Sequence, residues 1–447
     1  MPTTETAAPA ALDLTAIRAQ FPSLSQTVNG HPAAFLDGPG GTQVPQRVID
    51  AISNYLRRDN ANTGGAYSTS RHTDAMLADA RAAMADFLNC APDEIVFGPN
   101  MTTLTYTISR AIGRDLGPGD EILVTRLDHD ANVSPWLALE EKGIAIRWAE
   151  IHEADCTLDL ADLASKINTR TRLVAVGYAS NAVGTVNPVK AIIRLAHAAG
   201  ALAYVDAVHY GPHGLIDVAA LDCDFLACST YKFFGPHMGV LFGKREHLAR
   251  LRPYKVRPLT DAVPNRWEWG TLNHECIAGI TACVDYIADL GRQSLTNVDT
   301  TMKHVGTAAL GGPSSEARQS PRRAAIVAAF EAIHQYEHAL MARLITGLSQ
   351  IPRIKIYGIT DPARFSERCP TLALRVINQT ADETPLALAT QLGDRGFFTW
   401  DGNYYALNLT EQLDVEKSGG FLRIGLVHYN TAEEVDRLLQ ALTQIVS

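Results

Sequence analysis

The sequence lacks a tight cysteine pair, a long apolar run and any excess of positive charge, and each absence narrows what the chain can be. Its seven cysteines (Cys90, Cys156, Cys223, Cys228, Cys276, Cys283 and Cys369) are odd in number and widely spaced. None forms the Cys-x-x-Cys unit of zinc or redox sites, so they read as buried free thiols in a reducing compartment. No stretch reaches the ~18 apolar residues of a membrane span. The opening MPTTETAAPAALDL has no basic segment ahead of an apolar one. The expectation is a cytoplasmic protein with no membrane partner. A formal net charge of −9 argues against nucleic acid as a partner.

What is present is ordinary globular composition. The 447 residues are 46% hydrophobic and 19% charged, enough for one large α/β domain and a smaller one. Residues 1–11 read as a frayed tail, followed by a short helix capped by Asp13 or Thr15. Helical periodicity returns at 48–58 and again from Met76 to Phe87. From residue 94 onward, apolar strands (94–98, 121–125, 145–151, 171–179, 201–207, 224–230 and 237–244) are separated by helices. Those helices are expected at 102–112, 136–143, 160–167 and 189–200. Crossovers of that length predict a largely parallel sheet covered on both faces. Residues 252–275, rich in arginine, proline and tryptophan, read as a crossing segment before a helix at 274–291. A Gly- and Ser-rich surface loop is expected at 311–321 and a long helix at 322–348. Beyond it, IKIYG, TLALRVI, YYALNL and FLRIGLVHY read as strands of a smaller domain. TAEEVDRLLQALTQI carries Thr431 three residues before Glu434, the signature of a capped terminal helix.

The chemistry concentrates in residues 201–243. One buried strand ends in Asp206 and another in Ser229-Thr230-Tyr231-Lys232, followed by a Gly-Pro bend. Polar residues at the carboxyl ends of parallel strands mark where α/β sheets place ligands. Taken singly, Asp206 could be a helix cap and Lys232 a solvated turn residue. Thr102 and Thr103 open a helix directly after a strand, and such a helix start offers free N–H groups to a phosphate. Arg423 sits among apolar neighbours on a C-terminal strand and needs a partner, either a substrate carboxylate or an internal salt bridge.

From Leu36 to the C-terminal helix, these ordered features resemble the class V aminotransferases of pyridoxal-phosphate fold type I, within their cysteine-desulfurase-like branch. The resemblance implies a mainly parallel seven-stranded sheet in a large domain (31–310), an N-terminal arm (1–30) and a smaller α+β domain (311–447). It also implies pyridoxal 5′-phosphate as cofactor, with Lys232 as the Schiff-base lysine. Tyr231 stands where the family's motif has histidine. Asp206 would face the pyridine nitrogen, with His209 three positions along in the same motif, and His129 would stack on the ring. Asn181, in Ser-Asn-x-x-Gly-Thr, or His209 would lie near the phenolic oxygen, and Asn181 also near the substrate. Thr102, Thr103, Ser229 and Tyr231 would supply donors to the cofactor. Thr271, in Glu-x-Gly-Thr, would reach the phosphate of a second subunit, which makes the expected protein a homodimer with a shared active site. Arg423 would bind the carboxylate of a small amino-acid substrate. No metal is expected.

Two departures shape the expected function. A desulfurase carries a mobile cysteine ahead of the arginine strand, whereas GFFTWDGNYYALNL has none and Tyr404 and Tyr405 cannot carry sulfane sulfur. Gly64-Gly65 stands where the branch tends to have His-Arg, and Trp267, Trp269, Trp400 and Tyr404 would make the site narrow or aromatic. The leading expectation is therefore a β-eliminating carbon–sulfur lyase acting on cysteine or an S-substituted cysteine. A transaminase acting on a small amino acid and a non-catalytic scaffold that retains the cofactor are the alternatives.

Overall fold

A computed structural model describes residues 12–301 and 320–446. The expected tail at 1–11 and most of the loop expected at 311–321 lie outside these residues, as does the domain boundary expected at 310/311.

A seven-stranded sheet forms the larger body. Its spatial order is Ile95–Gly98, Gly239–Gly243, Phe225–Ser229, Leu202–Asp206, Thr171–Gly177, Glu121–Thr125, Ala145–Ala149. Gly239–Gly243 alone runs against its neighbours, while the other pairings are parallel. The strands Phe225–Ser229, Gly239–Gly243 and Glu121–Thr125 are buried at every position, because helices cover both faces. This is why they read as continuous apolar runs rather than alternating ones. The crossover helices Met101–Ile112 and Val189–Ala198 end near glycines, with Gly200 in the left-handed region that favours glycine.

Gly239 has a specific steric role. A Cβ there would lie 2.3 Å from the carbonyl carbon of Asn100, so only glycine lets this strand pass the start of helix Met101–Ile112. That helix is capped by Asn100, whose Oδ1 accepts from the Thr103 N–H at 2.8 Å.

The smaller body is a four-stranded sheet in the order Ile354–Tyr357, Thr371–Val376, Phe421–Gly425, Trp400–Gly402. The helices Pro321–Leu348, Pro385–Asp394 and Ala432–Val446 pack with it around Leu344, Leu374, Leu388, Leu422 and Leu438. Thr431 and Glu434 form the expected reciprocal cap. Ala34 and Leu36 belong to this smaller core, and Ala34–Phe35 pairs with Phe397–Phe398.

One expected element is corrected. YYALNL is not a strand: Tyr404 and Tyr405 both have positive φ, and Leu407–Gln412 is a helix. A short apolar run fits either element by pattern alone, and the left-handed pair breaks any strand before it starts. No helix among the described residues is long and apolar enough to cross a membrane.

Candidate functional site

The parallel strands share one carboxyl edge, and a cavity of about 650 Å³ opens there. Leu202–Asp206 delivers Asp206 and, just beyond, His209. Phe225–Ser229 delivers Ser229, Tyr231 and Lys232. Glu121–Thr125 leads to Asp128 and His129, and Thr171–Gly177 leads to Asn181. The smaller body closes the cavity with Trp400 to Tyr405 and Arg423, and Pro39-Gly40 adds a turn from the N-terminal side.

The Lys232 amine donates to the carbonyl oxygens of Pro39 and, at 3.0 Å, Gly40, and lies 4.8 Å from the centre of the Tyr231 ring. Burial, reinforced by the Arg423 charge, lowers its pKa to about 7. Asp206 is buried, and its Oδ1 accepts from the Val208 N–H at 2.9 Å. Burial pushes its carboxyl up to about 6, against the opposing pull of that hydrogen bond and of Lys232. His129 Nδ1 accepts from the Ala131 N–H at 3.0 Å, and burial together with Lys232 and Arg423 lowers its pKa to about 4. The imidazole is therefore neutral, and Tyr405 stacks on it at 5.3 Å between ring centres.

Arg423, 3% exposed, meets the internal partner anticipated as the competing possibility. Its Nη2 lies 2.7 Å from Asp37 Oδ1, its Nη1 donates to the Asn181 carbonyl at 3.1 Å, and the Tyr404 ring covers the guanidinium at 4.1 Å. Its Nε is buried without a hydrogen-bond partner. Asn181 Nδ2 donates to the Tyr404 carbonyl at 2.8 Å, so the same loop is tied to both cavity residues.

Of the residues expected in the site, Thr103 and Thr271 do not line the cavity. The Thr103 backbone N–H is taken by the Asn100 cap, and the lining pair is Met101-Thr102, one residue earlier. Thr271 is exposed. Glu268 of the same motif is held inside its own chain by Arg81 and by the Phe97 N–H at 2.8 Å. Of the aromatic residues expected to narrow the site, Trp400 and Tyr404 line the cavity, whereas Trp267 is buried in the core and Trp269 is exposed outside it.

Sequence reasoning missed Asp37, Asp128 and Tyr405. Asp128 lines the cavity and accepts from the Gly177 N–H at 2.9 Å, Thr125 Oγ1 at 2.8 Å and Asn132 Nδ2 at 2.8 Å. Its burial still pushes the carboxyl up to about 7. The signal available was a second acidic residue, directly before His129 in sequence.

The cavity fits an aldehyde-bearing pyridine phosphate. Asp206 is a buried carboxylate short of a compensating cation, and a ring N–H would supply one. Asn181 Oδ1 is buried without a hydrogen-bond partner. The start of helix Met101–Ile112 and Ser229, whose hydroxyl accepts from the Met101 N–H at 3.2 Å, also belong to the lining. Lys232 must shed its proton before its amine can condense with an aldehyde. In cofactor-free protein, with that pKa at about 7, capture of pyridoxal phosphate should therefore quicken about tenfold per pH unit below neutrality and level off above it. Stopped-flow absorbance reads this directly. A rate still climbing at about pH 10 would belong to an ordinary lysine instead.

Comparison with known proteins places these features in a context. The family model described as Aminotransferase class-V matches residues 34–328 and 323–438. A cysteine desulfurase of Pectobacterium atrosepticum is 32% identical over 446 residues, spanning 96% of this chain and 97% of the relative. An aminotransferase-like protein of Gibberella zeae is 30% identical over 440 residues, spanning 96% of this chain and 98% of its own. Among solved structures, the apo cysteine desulfurase of Thermococcus onnurineus superposes with a TM-score of 0.80 at 24% identity, covering 98% of this chain and 99% of that one. At that identity the likeness concerns the fold.

Proposed function

The chain belongs to the aminotransferase class-V family, and on that premise we propose that it is a pyridoxal-phosphate-dependent carbon–sulfur lyase, eliminating the sulfur substituent of cysteine or an S-substituted cysteine. The observation that carries this reading is the wall of the cavity. Among the described residues no cysteine lines it, and the loop that closes it presents Trp400, Tyr404 and Tyr405 where a sulfur acceptor would stand. Five of the cysteines are buried, and Cys90 and Cys276 are half-buried, away from the lining. Sulfur therefore leaves as a thiol or as sulfide.

In this proposal Lys232, Asp206, His129, Asn181, Ser229, Tyr231 and Thr102 hold the cofactor. When bound, it supplies an electron sink for a bond broken at Cα. Lys232 takes the Cα proton as the base, and its lowered pKa leaves the amine free to do so near neutral pH. Asp206 keeps a proton on the ring nitrogen by setting its charge opposite it. His129, neutral and held by the Ala131 N–H, offers a flat uncharged face. Arg423 retains N–H donors beyond those given to Asp37 and Asn181, and these orient the substrate carboxylate. The Tyr404 ring excludes water from the guanidinium and so strengthens that contact. The balance is one S-substituted cysteine and one water giving a thiol, pyruvate and ammonia. Thr271, exposed on its own chain, is assigned to the phosphate site of a second copy, which makes the active unit a dimer.

Holoenzyme incubated with a panel of S-substituted cysteines should form pyruvate and thiol in equal amounts with no added amino acceptor, read by mass spectrometry. Turnover that appears only when a keto acid is supplied would assign the protein to transamination. A cofactor absorbance unmoved by every amine in the panel would leave it a scaffold.

A further inference from the structure

His209, on the wall of the main cavity, adjoins two side chains that the lyase chemistry does not use, His213 and Cys369. His209 and His213 follow strand Leu202–Asp206 on a run of tight turns, where the His213 N–H donates to the Tyr210 carbonyl at 2.9 Å. Cys369 comes from the smaller body, just ahead of strand Thr371–Val376, with its N–H on the Gly184 carbonyl at 2.8 Å. One ring nitrogen of each histidine and the Cys369 Sγ all lie within 4.8 Å of one another. The residues are 4%, 3% and 3% exposed, respectively.

The two imidazoles are left incomplete in the same way. His209 Nε2 and His213 Nε2 are both sealed from solvent and have no hydrogen-bond partner. A buried polar atom left unpaired is costly, so two such imidazoles in one cluster call for a partner. His213 Nδ1 is already engaged by Glu337 Oε2 at 2.8 Å. A carboxylate on one imidazole nitrogen, with the other nitrogen free, is how proteins fix the ring of a metal-ligating histidine.

We propose that His209, His213 and Cys369 form a binding site for a borderline-soft divalent cation, Zn²⁺ being the best match to two imidazoles and a thiolate. Donors around tetrahedral zinc stand about 3.3–3.6 Å apart, so closure of at most about 1.5 Å brings the three into place. Charge balances locally, since the thiolate and the Glu337 carboxylate offset the dication. Arg368, the nearest cation in sequence, is committed to the carbonyls of Ile359, Val183 and Thr371. A small adjoining cavity of about 50 Å³, lined by His213, Cys369, Glu337, His334 and His338, has room for a water as fourth ligand. The ion would join the two bodies of the fold and clamp the imidazole of His209, which also lines the main cavity. The site stands independently of the sulfur chemistry proposed above.

Holoenzyme reconstituted with equimolar Zn²⁺ and then dialysed should retain about one zinc per chain by elemental mass spectrometry. Zinc-edge X-ray absorption should show one sulfur and two imidazole scatterers, a readout that the cofactor does not enter. Cys369→Ser and His213→Gln should each drop retention below about a tenth of that value. Wild-type retention below a tenth, undiminished retention in either variant, or a zinc edge without sulfur would each overturn the assignment. The two variants come from different bodies of the fold, and circular dichroism of each separates metal loss from unfolding.

Discussion

Lys232→Ala is expected to lower turnover of the best substrate by about 10³-fold or more and to abolish covalent retention of the cofactor. Two functions are lost together, the anchoring amine and the proton-accepting base. Borohydride treatment followed by peptide mass spectrometry should find the cofactor fixed at position 232 in the parent protein and nowhere in the variant. Lys232→Arg should behave like the alanine variant, because a guanidinium can neither condense with an aldehyde nor give up a proton near neutrality. A variant that kept a tenth of the parent rate would remove the lysine from the mechanism. Retention of the adduct at another residue would relocate the site.

The second large effect concerns Asp206 and has opposite signs in two states. With cofactor, Asp206→Asn removes the charge facing the ring nitrogen, and turnover should fall by about 10²–10³-fold. Without cofactor, the same change should stabilise the fold. The folded pKa of Asp206, about 6, lies above its ordinary 3.8. The folded chain thus binds more protons than the unfolded one between those values, and this group lowers stability as pH rises from about 4 through about 6. At neutral pH the carboxylate costs about 3 kcal/mol, which the amide would not. Urea titration of cofactor-free protein at neutral pH and at about pH 4 measures it. The gap between variant and parent should be wide in the first case and nearly closed in the second. A cofactor-free variant less stable than its parent at neutral pH would mean that Asp206 is satisfied within the fold and does not await a cationic ring.

Much of this architecture is written locally in the chain. The sheet strands are short apolar runs broken by glycine-terminated helices, and both signals act over a few residues. Asp206 and Lys232 were legible because each ends such a run, where an α/β sheet exposes its ligand edge. Contacts made across the fold were not legible. Nothing near Arg423 in sequence announces Asp37, which lies 386 positions away. The stack of Tyr405 on His129 depends on a left-handed backbone pair that a tyrosine dipeptide does not advertise. Thr102 lies in the lining and Thr103 outside it, a distinction composition does not make between two adjacent threonines at a helix start. His209 was read as a cofactor neighbour. Its proximity to Cys369 needed both bodies of the fold in place.

The pairing of Asp37 with Arg423 sets a timetable for the living cell. The cavity is lined by residues 39–40, by residues between 100 and 232, and by residues between 400 and 423, the last of these made almost at the end of synthesis. The ribosome must release nearly the whole polypeptide before any competent centre exists, and the early turn at Pro39-Gly40 waits for it with its partners missing. Translation that stops short of residue 423 therefore yields an inert product rather than a weakened one.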